Sequence, residues 1–230
     1  MTLAVDLERC AAAIARLDAR ISVSSLAEPW ILRASWAGYA RALRLQTVEI
    51  DEIDLFSWGT GVPIPGRQRR MSHLDELDQL PAWRGSLEQG GQGRWRDELP
   101  FTPIIDETLP LVLRALALVR QYALADETIW PWLTLPQFLR ASGLTRRSLP
   151  CLTGGGRSFR RAGALPIDAP RAAVRALMTA ATDGLELLDR LERAHHDAIR
   201  ALLGLRRPGL LPKLAALSLT LPAISPKAVA

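Results

Sequence analysis

The chain carries few of the side chains on which catalysis and metal binding rest. It has two cysteines, three histidines and two tyrosines in 230 residues. Cys10 and Cys151 stand far apart in sequence, which fits two buried free thiols rather than a disulfide, and points to the cytoplasm. No apolar run approaches the roughly 18 residues of a membrane-spanning helix. The stretch from Leu109 to Leu118 is broken by Pro110 and Arg114. The first residues carry Asp6 and Glu8 where a secretory leader would be basic. No Gly-Lys-Ser/Thr phosphate loop, dinucleotide fingerprint or nucleophile motif is present. These gaps argue against an enzyme, a cofactor, a bound metal and a membrane partner.

Acidic residues are missing from two stretches. Thr128 to Ile167 holds six arginines (Arg140, Arg146, Arg147, Arg157, Arg160, Arg161), and Ala198 to Ala230 holds Arg200, Arg206, Arg207, Lys213 and Lys227. The formal net charge is +5, so these two stretches account for all the positive excess. Segregated basic charge favours a polyanion partner. The alternative is that the arginines are solvated, or pair with the acidic N-terminal half.

What is abundant is Ala, Leu and Arg, with 48% hydrophobic residues overall. Such a chain builds a substantial core, as one large domain or two small ones, and its helix formers favour an all-α class. Leu7, Ala11, Ile14, Leu17 and Ile21 share one face of a first helix over 3–21. A second helix over 26–46 carries Trp30, Trp36 and Tyr39, with Gly38 allowing a close neighbour, and the two read as a helical hairpin. A short helix within 48–58, a loop over 59–66 and a long loop or linker over 84–103 follow, the last two rich in Gly and Pro. A leucine-rich helix spans 105–125, with Asp106 and Glu107 at its positive end, and Trp130-Pro131-Trp132 closes that region. Thr134 is the expected cap of a helix over 135–142 that Gly143 stops. A long helix over 169–205, with Asp168 as cap, carries a seam at 174, 177, 181, 184, 188, 191, 195, 198, 202 and 205, and Ala181 and Gly184 permit a close crossing. A further helix spans 210–220. All seven tryptophans precede residue 133, so the core of the first half is expected to be aromatic and that of the second aliphatic.

Four groups of residues bear on chemistry. Glu192-Arg193-Ala194-His195 puts a carboxylate and an imidazole on one helix face, as in di-iron bundles, but a second such pair is lacking, and His195 reads as a packed seam residue. Glu49, Asp51, Glu52 and Asp54 have no glycine-containing calcium loop and read as a solvated acidic face or a partner for arginines. Thr153-Gly154-Gly155-Gly156-Arg157-Ser158-Phe159-Arg160-Arg161 is either a flexible turn or an anion cradle. Leu135 to Leu152 has the turn glycine of a helix-turn-helix, but Pro150 leaves room for only half of the motif.

The chain's last residues matter most. Ser225 is a good N-cap and Pro226 a good first helical residue, so Lys227-Ala228-Val229-Ala230 begins a helix that stops within a turn or two. The expectation is a chain cut inside a structural unit. LRLQTVEIDEIDLFSWGTGVPIPGR (43–67), SGLTRRSLPCLTGG (142–155) and RPGLLPKLAALSLTLPAISPKAVA (207–230) together resemble an uncharacterised bacterial family, of plant symbionts and often plasmid-borne. This DUF-sixteen-twelve family pairs a domain of unknown function with a C-terminal helix-turn-helix. The resemblance implies a DNA-associated regulator whose reading unit is incomplete here, and offers no catalytic residue to transfer. The N-terminal helices also faintly resemble those of Fic-type proteins, without the His-Pro-Phe motif that AMP transfer needs.

The sequence thus predicts an all-α multi-helix bundle with a long loop region and one long helix near the C-terminus. Its regions are 1–128, 129–207 and 208–230, the last opening a helix-turn-helix. DNA is the expected partner, weakly or non-specifically bound through Arg146, Arg147, Arg157, Arg160, Arg161 and Lys227. A helical oligomerisation scaffold, dimeric through the long helix, is the alternative.

Overall fold

The computed structural model describes residues 2–44, 50–67, 75–88, 99, 101–154, 170–205 and 209–222. Among them the chain is all-helical, without a strand. Its helices are α1 (Leu3–Val23), α2 (Ala27–Leu43), α3 (Glu52–Thr60), α4 (Leu80–Glu88), α5 (Leu111–Ala125), α6 (Trp130–Leu133), α7 (Leu135–Ala141), α8 (Pro170–Leu203) and α9 (Leu211–Thr220). Two 3-10 turns, Asp75–Gln79 and Pro150–Leu152, join them.

The expected apolar face of α1 is present, with Cys10 buried where Ala11 was expected. Cys10, Ile14, Leu17 and Ile21 pack with Val174, Leu177, Ala181 and Leu188 of α8 in one core. The two helices run parallel. Near the start of both, the buried Asp6 carboxylate accepts from Nε of Arg171 (2.7 Å) and Arg175 (3.1 Å). Near the far end, Arg20 donates to Asp189 (2.9 Å) and Glu192 (2.8 Å). The Arg20 pairs are exposed and add little stability, but a one-turn slip would part both sets at once, so together they specify register. The hydrogen bond from Arg171, aided by the charge of Arg175, holds the Asp6 carboxyl below its usual range against the upward push of burial. The main partner of α1 is therefore α8, not the α2 of the expected hairpin.

The glycines expected to allow close approach do so. A Cβ on Gly184 would meet Cys151 Sγ and Leu17 Cδ2 at 3.0 Å and the Trp30 ring at 3.3 Å. Into that space Trp30 donates its indole N–H to Gly184 O (2.8 Å). Gly38 on α2 lies against Pro150, and its carbonyl accepts from Thr153 Oγ1 (2.8 Å). Both cysteines are buried and free, and burial pushes each thiol up to about 12.

A second core gathers Trp36, Tyr39, Phe56, Trp58 and Trp83 around Leu43, Leu55 and Leu133. Trp36 meets Phe56 edge-on at 5.4 Å, and Trp83 donates to Leu133 O (2.9 Å). The core around α1 and α8 is mainly aliphatic, with Trp30 and Phe138. The aromatic/aliphatic split is thus spatial, and follows sequence order only in part.

Four local expectations are corrected. Residues 84–88, expected in the linker, belong to α4, because Trp83 anchors that short helix in the second core. The helix expected from 105 starts at Leu111. Pro110 disfavours a helical residue before it, and Asp106 instead accepts from Thr108 N–H (2.9 Å) in a turn. Trp130-Pro131-Trp132 opens α6 rather than closing the preceding region. Thr134 does not cap α7. Its hydroxyl donates to Trp130 O (2.7 Å) and its own backbone is helical. By contrast α7 ends as read: Gly143 sits at φ +84°, its N–H on Arg140 O (2.9 Å) and Leu144 N–H on Leu139 O (3.1 Å).

Candidate functional site

The basic loop after α7 does not continue as a reading helix. Residues 144–149 are non-helical and lead into the Pro150–Leu152 turn. The physical reason is a tertiary one. Asp18, buried on α1, accepts the Arg146 backbone N–H at 3.1 Å, which ties the loop to α1. Thr145, Ser148 and Leu149 are buried as well. Half of a helix-turn-helix is therefore not formed here. The loop instead holds Arg146 and Arg147 exposed on an anchored backbone. Arg157, Arg160, Arg161 and Lys227 lie outside the described residues, as do Asp168, His73, Glu49 and the Ser225-Pro226 start.

The glycine-rich segment enters the described structure only at its first residues. Gly154 N–H donates to Trp132 O (3.0 Å), and a Cβ there would come within 2.9 Å of the Trp132 ring. This glycine answers to packing.

The Glu192 to His195 pair has a structural use. Both Glu192 oxygens are taken, one by Arg20 (2.8 Å) and the other by Ser24 Oγ (2.9 Å). Among the described residues no group of three His, Cys, Asp or Glu side chains is placed to hold a metal ion. Asp189, Glu192, Arg193, His196, Asp197 and Arg200 line an open groove of about 820 Å³ along α8. Its charges alternate in sign, so it favours neither an anion nor a cation.

The acidic cluster turns out to build α3. Asp51 is its N-cap and accepts from Ile53 N–H and Asp54 N–H, both at 2.9 Å, while Asp54 accepts from Asp51 N–H at 3.2 Å. Arg67 pairs with Asp51, and Arg33 with Glu52 at 3.2 Å. Burial pushes the Asp51 carboxyl up, but the Asp54 N–H and Arg67 outweigh it, and the group titrates below its usual value. Arg84, half-buried with its Nε on Ser35 Oγ (2.7 Å), lies over the Trp36 ring at 4.1 Å. Burial pulls its pKa down to about 10.

The most unusual surface was not found by reading the seam. Register with α1 places Glu192 beside Ser24, just beyond the end of α1. The eleven residues from Arg193 to Leu203 therefore extend about 16 Å past α1. The seam positions Val174 to Leu191 are buried, His195, Ala198 and Leu202 are half-buried, and Leu205 is exposed. The chain then turns back, and α9 brings Leu219 into the main core, with Arg33 donating to Leu221 O (2.6 Å). Ile199, Leu203, Leu205, Leu210 and Leu211 are left exposed at this reversal. They are five of the nine exposed large apolar side chains among the described residues, and they crowd into thirteen positions of sequence. Leu203 is 81% exposed and Leu210 63%. Exposed Arg200 and Lys213 flank them. In sequence, the long heptad pattern reads as continuous core, and only the end of α1 shows where its cover stops.

No helix among the described residues is long and apolar enough to cross a membrane. No family model, curated protein or solved structure matches the chain.

Proposed function

We propose that this chain is a non-catalytic helical scaffold that engages a partner through the tip of the α8–α9 hairpin. The observation that carries this reading is the concentration of exposed leucines at one reversal of the chain. Scattered apolar side chains are ordinary on a surface, whereas a contiguous set marks an interaction site. The helical body, locked by the α1–α8 register, acts as the rigid support for that tip.

The buried thiols supply the test. A Leu203→Cys variant takes an environment-sensitive fluorophore at position 203 alone, because Cys10 and Cys151 are inaccessible. Position 203 is exposed, so its stability should stay within about 0.5 kcal/mol of the parent. Adding extract of the native cells is expected to shift the emission to the blue. The same label at Leu124→Cys, an exposed site on α5, is expected not to respond. Equal behaviour of the two labels overturns the reading.

A second reading, weak DNA association in a regulatory protein, is favoured by Arg146 and Arg147. Both are exposed on an anchored loop, and among the described residues neither side chain has a hydrogen-bond or ion-pair partner. If both contact phosphates, the Arg146→Gln/Arg147→Gln variant should lose affinity for duplexes of any sequence. Its salt dependence should become shallower by about two ions. An unchanged slope removes these arginines from any DNA contact.

A further inference from the structure

We infer that residues 101–105 are a displaceable strap held on α5 by Gln121, and that the place they occupy takes an extended apolar peptide from another protein. This goes beyond the reading of the α8–α9 tip and shares no residue with it. Residues 102–106 are neither helix nor turn. Burial alternates along the strap: Phe101, Pro103 and Ile105 are half-buried, Thr102 and Ile104 exposed. That is the two-residue period of a strand, yet no strand pairs with it among the described residues. Its partner is one side chain. The Gln121 carboxamide accepts from Ile104 N–H (2.8 Å) and donates to Ile104 O (2.7 Å). Two residues directly opposite in an antiparallel sheet exchange bonds in the same two-way manner. Phe101 sets its ring 5.8 Å from that of Tyr122 on α5. Ile105, like Leu113 and Tyr122 of α5, packs against the main core. Pro103 offers no N–H and keeps Thr102 extended.

The grip is on the main chain. The Ile104 side chain is itself 78% exposed, so Gln121 does not select this segment over another with apolar residues at the same spacing. Both bonds lie at the surface, where a hydrogen bond adds little net stability and opens locally. The strap therefore displays what α5 accepts here: an extended segment, apolar at alternate positions, read through one residue's N–H and C=O. Being part of the same chain, it sits there at high effective concentration and excludes weak competitors. A partner segment has to displace it, which makes the strap an autoinhibitory contact. One extended segment then replaces another of the same kind, so the exposed Leu124 site further along α5 keeps its surroundings.

Hydrogen exchange of the full chain tests the strap. The Ile104 N–H is expected to exchange through local opening, at least tenfold faster than the Val119 N–H in the buried part of α5. Gln121→Leu should remove the remaining protection at Ile104 and leave Val119 unchanged. Equal protection of the two amides overturns the inference, because the strap then opens only when the fold does.

A fluorophore-labelled peptide copying residues 101–106 tests the place beneath. It is expected to bind Phe101→Ser/Ile105→Ser, whose own strap has lost its anchors, about tenfold or more tighter than it binds the parent chain. Adding Gln121→Leu should lower that affinity about tenfold, the weight of two exposed hydrogen bonds. A peptide with serine in place of its Phe and second Ile should not bind, and Leu203→Ser, in the tip, should change none of these results. Failure of the labelled peptide to bind the strap variant overturns the inference, as does equal binding to the parent or binding indifferent to Gln121. If the strap variant does not fold, the exchange of the parent and of Gln121→Leu decides the strap. Peptide at rising concentration must then speed exchange at Thr102 and Ile104 of the parent, and exchange that ignores the peptide overturns the inference.

Discussion

Replacing Gly38 by alanine is expected to cost about 3 kcal/mol and to lower the melting temperature by about 6–12 °C for a chain of this size. A Cβ at position 38 would stand 2.1 Å from Pro150 O and 3.0 Å from Pro150 C. That neighbour is backbone and cannot swing aside as a flexible side chain would. The Pro150–Leu152 turn is held from both sides. Cys151 and Leu152 are buried in the main core, and Thr153 donates to the carbonyl of Gly38 itself. Backing the turn away from α2 would stretch that hydrogen bond and loosen the core together. Alanine is normally the better helix former, by up to about 1 kcal/mol, so the sign of the effect is informative. Gly85→Ala is the internal comparison. It too is helical, with nothing within 4 Å of the added methyl, and should stabilise by about 0.5–1 kcal/mol. Thermal unfolding of both variants checks the pair. If Gly38→Ala is also stabilising, the contact between α2 and the turn is not as described.

Trp30→Ala is expected to destabilise by about 3–5 kcal/mol, as deletion of a fully buried aromatic does. Trp30 is 0% exposed and stands where α1, α2, α8 and the Cys151 turn converge. Its ring fills the space that Gly184 leaves open, and its N–H reaches Gly184 O at 2.8 Å. Alanine would remove the ring and leave a cavity at the join between helices from opposite ends of the chain. Trp30→Phe keeps much of the volume but not the donor, and should cost about 1–2 kcal/mol, the scale of one buried hydrogen bond and a small void. Denaturant unfolding followed by circular dichroism measures both. A cost below about 1 kcal/mol for the alanine variant would mean that the join repacks without Trp30.

How much of this was legible in sequence depended on the range of the interaction. Gly143, Pro110 and the Asp51 cap act within a few residues. The stop after α7 was readable because a glycine at positive φ and two local hydrogen bonds suffice. The Asp51 cap was missed because the four acids were weighed as ligands and charges, although Asp51 followed by Asp54 is a local capping signal. The apolar faces of α1 and α8 were visible as periodicity, and the glycines at 38 and 184 as places for close approach. The α4 helix was not. Nine residues including Gly85 hold no helix by themselves, and α4 forms because Trp83 is buried and bonded to Leu133, fifty positions away.

The candidate site was legible only in part. Arg146 and Arg147 were singled out from composition, and they are exposed as a basic patch requires. The loop that carries them was expected to begin a helix, and it is instead non-helical, tied through the Arg146 N–H to a carboxylate 128 positions earlier. The leucine tip was hidden inside a seam that looked uniform.

The sequence by itself determined that this chain is all-α, that its cysteines are buried thiols, and where its long helix begins to show an apolar stripe. Those follow from propensity and periodicity, which are properties of neighbouring residues. Only the tertiary structure decided that α1 pairs with α8 in parallel and that the pairing ends at Ser24 and Glu192. The same heptad stripe is therefore core before that point and exposed surface near its end. The reason is that burial belongs to pairs of segments. Register between helices more than 160 positions apart is set by Asp6, Arg20 and the space at Gly184 acting together, and no local pattern records it.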